Sequence, residues 1–136
     1  MLTPVENGLA VIACNTCRLS AEEREDTDGT RGGALLVAAL EAAKAADPRY
    51  ADVAIQQMPC LFSCTEHCSI HLRAPGKVGY LLGRFSPDAE AARAILDYAV
   101  HYADSDHGRV PYKQWPQGIK GHFIARTPPE GYLVES

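Results

Sequence analysis

The chain has 136 residues, 46% of them hydrophobic and 22% charged, with a formal net charge of −4. That length suits one domain whose core folds without disulfide staples, and the composition argues for a globular chain and against disorder. The mild acidity, with no Lys/Arg cluster to neutralise phosphates, argues against nucleic acid as a partner, and no apolar run approaches the roughly 20 residues that span a bilayer. No basic segment followed by an apolar one opens the sequence, so no secretory signal is expected and the chain is placed in the cytoplasm.

The run Gly8 to Ala13 reads as a buried strand ending at Cys14. Cys14 to Gly33 is polar, with an acidic stretch from Glu22 to Asp28, and reads as a loop. Leu36, Ala39, Leu40 and Ala43 recur at helical spacing, predicting a helix over Ala34 to Ala46 that Asp47-Pro48 ends. Ala51 to Gln57 reads as a second strand closed by Pro59. Ser69 to Arg73 and Val78 to Leu82 flank the Pro75-Gly76 turn and predict a hairpin. Ser86-Pro87-Asp88 starts a second helix, with a capping hydroxyl and proline at the first helical position. It runs to about Ala103 and buries Ala92, Ile95, Leu96, Ala99 and Tyr102. From Asp104 the chain is rich in Gly and Pro without periodicity. The order strand, helix, strand, hairpin, helix predicts an α/β, thioredoxin-like fold: a four-stranded mixed sheet with flanking helices. The expected organisation is a metal-binding domain over 1–103 and an irregular C-terminal tail, 104–136, packed on it.

Five cysteines in a cytosolic chain need an explanation other than disulfides, and an odd number fits a disulfide framework poorly. Cys14 and Cys17 follow the first strand; Cys60, Cys64 and Cys68 follow the second. If those strands are parallel neighbours, both cysteine loops leave the sheet at one edge and converge. Four thiolates suit an iron–sulfur cluster or tetrahedral zinc, and the spacing favours the former only slightly.

Cys60-Leu61-Phe62-Ser63-Cys64, followed by Ile70 to Leu72, Pro75-Gly76 and Tyr80, is similar to the second half of the thioredoxin-like [2Fe–2S] ferredoxins. The whole chain resembles a bacterial family of uncharacterised predicted metal-binding proteins. The shared features are Cys14-x-x-Cys17-Arg18, Cys60-Leu61-x-x-Cys64-x-x-x-Cys68, the Gly76-Lys77-x-x-Tyr80 hairpin and the Arg126-Thr127-Pro128-Pro129 tail. The ferredoxin resemblance implies a [2Fe–2S] cluster, four Cys ligands, electron transfer with redox partner proteins, and frequent homodimers. Two departures stand out. Ferredoxins take their second ligand near the first helix, where this chain has Arg31-Gly32-Gly33, and they have Gly-Pro where it has Cys68. The ligand set expected here is Cys14, Cys17, Cys60 and Cys64, with Cys68 as the substitute.

The function expected is thus a ferredoxin-like electron carrier, not an independent enzyme, since no partnered nucleophile, general base or phosphate loop is visible. The alternatives are a protein that binds or delivers zinc or another soft metal, and a metal-free thiol–disulfide oxidoreductase using Cys14 and Cys17. The long loop before the first helix argues against helix activation of that pair. His67, inside the second cysteine loop, is an alternative ligand; His71 reads as solvent-facing and His101 and His107 as residues of a helix end. The acidic stretch reads as a solvated loop, or as one that steers a basic partner. Tyr112 and Trp115 are expected to fold back over the core.

Overall fold

The computed structural model describes residues 1–63 and 65–135. In chain order the elements are β1 (Ala10–Cys14), α1 (Gly32–Ala46), β2 (Ala54–Met58), β3 (Ile70–Arg73), β4 (Gly79–Leu82), α2 (Ala89–Asp104) and β5 (Phe123–Thr127). Short 3-10 turns fall at Pro48–Tyr50, Tyr112–Gln114 and Gln117–Ile119.

The sheet has five strands in the order β2-β1-β3-β4-β5. β1 and β2 are parallel, and every other pairing is antiparallel. This corrects the expected four strands: the tail is not wholly irregular, because Phe123–Thr127 pairs with β4. Most of β5 is exposed. An edge strand with a wet face carries little hydrophobic alternation, which is why its sequence does not announce it.

β1 lies inside the sheet between β2 and β3 and is buried at all five positions, which accounts for its continuous apolar run. Val11 and Ala13 of β1, Ile70 and Leu72 of β3 and Leu82 of β4 share one hydrophobic cluster with Leu36 and Leu40 of α1. Ala92, Ile95, Leu96, Ala99 and Tyr102 of α2 complete it, each at most 2% exposed and all on the face that the sequence predicts. The helix start differs. Asp88 is the cap, its carboxylate accepting Ala91 N–H at 2.8 Å, and Ser86-Pro87 lies before it. A charged acceptor satisfies the positive end of a helix better than a hydroxyl does. The Pro75-Gly76 turn forms as expected, with Gly76 at φ +74, a left-handed position that glycine occupies without cost.

Candidate metal centre

Parallel pairing places Cys14 opposite Met58 in the last register of β1 and β2, so both chains leave the sheet together. The loops that follow are tied to each other. Asn15 N–H donates to Met58 O at 2.9 Å, Asn15 Nδ2 to Gln57 Oε1 at 3.0 Å, and Thr16 Oγ1 to Pro59 O. Cys14 Sγ lies 3.8 Å from Pro59 O and 3.7 Å from Thr16 Oγ1, and receives the Leu61 and Thr16 N–H groups. The first sulfur of one cysteine loop is therefore wrapped by the other.

Cys17 is also buried. Its N–H reaches back to Cys14 O at 3.4 Å, its carbonyl accepts Gly33 N–H at 3.1 Å, and its sulfur stands 3.4 Å from Ser69 Oγ. Burial pushes the Cys14 thiol up, but hydrogen bonds from Cys17, Thr16 and Leu61 outweigh it and leave the thiol below its ordinary value. Cys17 moves the other way: burial raises it and its hydrogen bond to Cys14 adds to that, against the donors of Ser69. The two thiols are thus displaced in opposite directions, and Cys14 gives up its proton more readily than Cys17.

Cys60 is half-buried and its sulfur accepts Phe62 N–H at 3.2 Å. Phe62 itself is 96% exposed and has φ +58. Cys68 differs from the others. It is fully buried in the hydrophobic cluster at φ +49, and its thiol donates to Arg18 O at 3.3 Å. Cys14, Cys17 and Cys68 are free thiols. Cys64 lies outside the described residues, so its expected place in the ligand set has no geometry here. Among the described residues, no three His, Cys, Asp or Glu side chains already stand close enough to hold a metal ion. The donor chemistry nonetheless fits a soft metal centre, because backbone N–H groups and hydroxyls converge on the Cys14, Cys17 and Cys60 sulfurs.

The histidines do not join the sulfurs. The ionisable neighbours of His67 are Glu66, Arg84 and His122, and its Nδ1 is buried without a hydrogen-bond partner among the described residues. His71, read as solvent-facing, is half-buried between Ile12 and Leu81, and burial lowers its pKa. His101 lies in the last turn of α2, as expected, while His107 follows the helix and its carbonyl accepts Val78 N–H. His122 stacks on Phe85 at 4.3 Å. Trp115 folds back against Phe123 and Tyr98, whereas Tyr112 stays 62% exposed.

Two features escape sequence reasoning. The first turn of α1 sits directly on the first cysteine loop: a Cβ built on Gly33 would stand 1.9 Å from Cys14 O, and one on Gly32 2.3 Å from Arg18 O. The loop between folds back through the Glu25–Arg31 bridge, so a separation long in sequence is short in space. The Gly32-Gly33 pair was the available signal. The second feature is a buried pair of hydroxyls, Ser63 and Ser69, for which no sequence signal exists.

A β-α-β unit joined to a hairpin and a final helix, with cysteine loops at the carboxyl ends of two parallel strands, defines a thioredoxin-like α/β protein. Over residues 11–129 the chain matches the family described as "Protein of unknown function (DUF1636)", and it belongs to that family. No curated protein matches it. Among solved structures it is similar to a thioredoxin-like [2Fe–2S] ferredoxin from Aquifex aeolicus, with 16% identity and a TM-score of 0.56. That likeness covers 94% of this chain and 100% of the ferredoxin, and shows a common fold. The expected thioredoxin-like class is thereby met, with a fifth strand added. No helix of the described residues is long and apolar enough to cross a membrane.

Proposed function

We propose that the chain is a small one-electron carrier that holds a [2Fe–2S] cluster on Cys14, Cys17, Cys60 and Cys64. The observation that carries the reading is the meeting of the two cysteine loops, where Cys14 Sγ lies against Pro59 O and the Leu61 N–H. The likeness to a protein whose name includes a [2Fe–2S] cluster adds weight. When bound, the cluster supplies a reversible one-electron couple. The chain's own part is to bring distant thiols together, surround them with N–H donors and keep bulk water from Cys14 and Cys17, at 2% and 6% exposure. In this reading the protein serves redox partner proteins in the cytoplasm as a carrier, not a catalyst, and works as a homodimer.

Anaerobic purification followed by absorption spectra and iron, sulfide and zinc analysis tests this. A red-brown protein with about two irons and two sulfides per chain is expected. A colourless protein with one zinc would instead favour the soft-metal alternative. A second reading is favoured by the opposite displacement of the two thiols, Cys14 lowered and Cys17 raised, an asymmetry that suits an attacking thiolate and a buried resolving thiol. It predicts thiol–disulfide exchange that survives removal of all metal.

A further inference from the structure

Ser69 is 0% exposed and Ser63 9%, and apart from tyrosines these are the buried polar side chains among the described residues. Alanine would serve packing at either place, so the hydroxyls need a reason beyond volume. Ser63 Oγ donates to Ser69 Oγ at 2.8 Å, and Ser69 Oγ lies 3.4 Å from Cys17 Sγ. A hydroxyl has one proton to give. Because the Ser69 oxygen already receives the proton of Ser63, its own proton is left for the sulfur. The Ser69 N–H is aimed at the same sulfur. Ser63 lies in the second cysteine loop and Cys17 in the first, so the relay also joins the two.

We infer that Ser69, backed by Ser63, is a positioning residue whose hydroxyl donates to the Cys17 sulfur and raises the reduction potential of the centre. The inference rests on the cluster reading above. An electron entering the centre adds negative charge that spreads onto the ligand sulfurs. A donor fixed on one of those sulfurs therefore stabilises the reduced state more than the oxidised one. The site is buried, so water does not replace the donor at full strength when it is removed. Each donor in the chain strengthens the next, so loss of Ser63 acts in the same direction with a smaller effect.

The test uses the full chain and its Ser69→Ala, Ser69→Thr and Ser63→Ala variants, purified anaerobically. Iron and sulfide are counted per chain, and each protein is titrated with dithionite in the presence of redox mediators. Ser69→Ala is expected to keep its iron and sulfide while its potential becomes more negative. The shift should approach a tenfold change in the oxidised-to-reduced ratio at fixed poise, about 59 mV for one electron. Ser63→Ala should shift less in the same sense, and Ser69→Thr, which keeps the hydroxyl, should restore the wild-type value. A fully loaded Ser69→Ala protein with an unchanged potential overturns the inference and leaves the cluster reading standing. Wild-type protein that takes up neither iron nor sulfide overturns the cluster reading and this inference with it. If Ser69→Ala does not fold, Ser63→Ala decides: a negative shift supports the relay, and no shift overturns it.

Discussion

Two cysteines of one short segment, Cys60 and Cys68, meet opposite surroundings, and the difference separates a proposed ligand from a packing residue. Cys60 is half-buried beside a backbone donor; Cys68 is sealed in the core and gives its own proton to Arg18 O. Burial, with the neighbouring Cys17 and Cys14 sulfurs adding to it, pushes the Cys68 thiol up to about 12. A sulfur that keeps its proton so firmly behaves as a small hydrophobe with one hydrogen bond. Cys68→Ala is therefore expected to retain wild-type iron and sulfide while losing about 1–2 kcal/mol in a urea melt. Cys17→Ser should lose the centre; the reverse pattern in the metal analysis would move Cys68 into the ligand set. Tyr50 makes a different residue-scale case. It is 1% exposed, and its hydroxyl donates to Asp97 at 2.5 Å, fastening the turn after α1 to α2. Burial, then the Asp97 hydrogen bond, raise its pKa from the ordinary 10 to about 12. The folded state thus favours the protonated phenol. Its contribution is complete below pH 10 and is lost as the pH climbs from 10 through 12. Tyr50→Phe should cost about 1 kcal/mol at neutral pH. In equilibrium melts between pH 9 and 12, the gap between variant and wild type should close as the pH rises, and a constant gap would show that Tyr50 does not titrate with folding.

At the scale of elements, the site depends on α1 lying against the end of β1 with nothing between them. Gly33 makes that approach, since any side chain there would enter the Cys14 carbonyl, a backbone atom that cannot swing aside. Alanine is the better helix former by about 1 kcal/mol, so propensity alone predicts that Gly33→Ala stabilises the chain. Contact predicts the opposite, and a 1.9 Å approach to backbone outweighs propensity. Gly33→Ala should lower stability by about 1–3 kcal/mol and reduce iron retention together, as read by melts and metal analysis. An unchanged melt would mean that α1 and the cysteine loop separate easily. The elements were largely legible in the sequence because α1, β1 and the β3–β4 hairpin are marked by local signals: Ala-rich helical spacing, a continuous apolar run and a Pro-Gly turn. The convergence of Cys14 with the 59–61 segment was legible too, through the handedness and parallel pairing of a strand–helix–strand unit. What was not legible depended on tertiary approach. The return of the acidic loop, which brings Gly33 onto Cys14, is made by the bridge between Glu25 and Arg31, by the loop's own backbone hydrogen bonds such as Asp26 N–H to Thr30 O, and by Gly33 N–H to Cys17 O. The hydroxyl relay joins Ser63 and Ser69 to Cys17, and neither serine carries a periodic or motif signal of its own.

Across the whole molecule, the segment after α2 is built into the fold. Ile119 and Val110, 1% and 7% exposed, belong to the main hydrophobic cluster, and Phe123 and Trp115 pack against it. Phe123 meets Tyr80 at 5.3 Å, Tyr98 at 5.5 Å and Trp115 at 4.8 Å, all in edge or tilted geometries that favour aromatic pairs. β5 also covers the outer edge of β4, whose backbone groups would otherwise offer a template for another strand. Ile124 and Glu66 both lie close against Gly83, so the tail comes near the second cysteine loop. A chain cut after residue 103 should therefore melt at much lower urea than the full chain, scatter light as it aggregates, and retain less iron. Because truncation removes many contacts at once, Phe123→Ala supplies the graded version. Phe123 is only half-buried, so a loss of about 2 kcal/mol is expected, below the range for a sealed phenylalanine. That variant keeps β5 in register through its backbone, and so should keep the wild-type oligomeric state and its metal. If the shortened chain instead melts with the full-length protein and does not aggregate, the fifth strand is an ornament, and residues 1–103 form the folding unit by themselves.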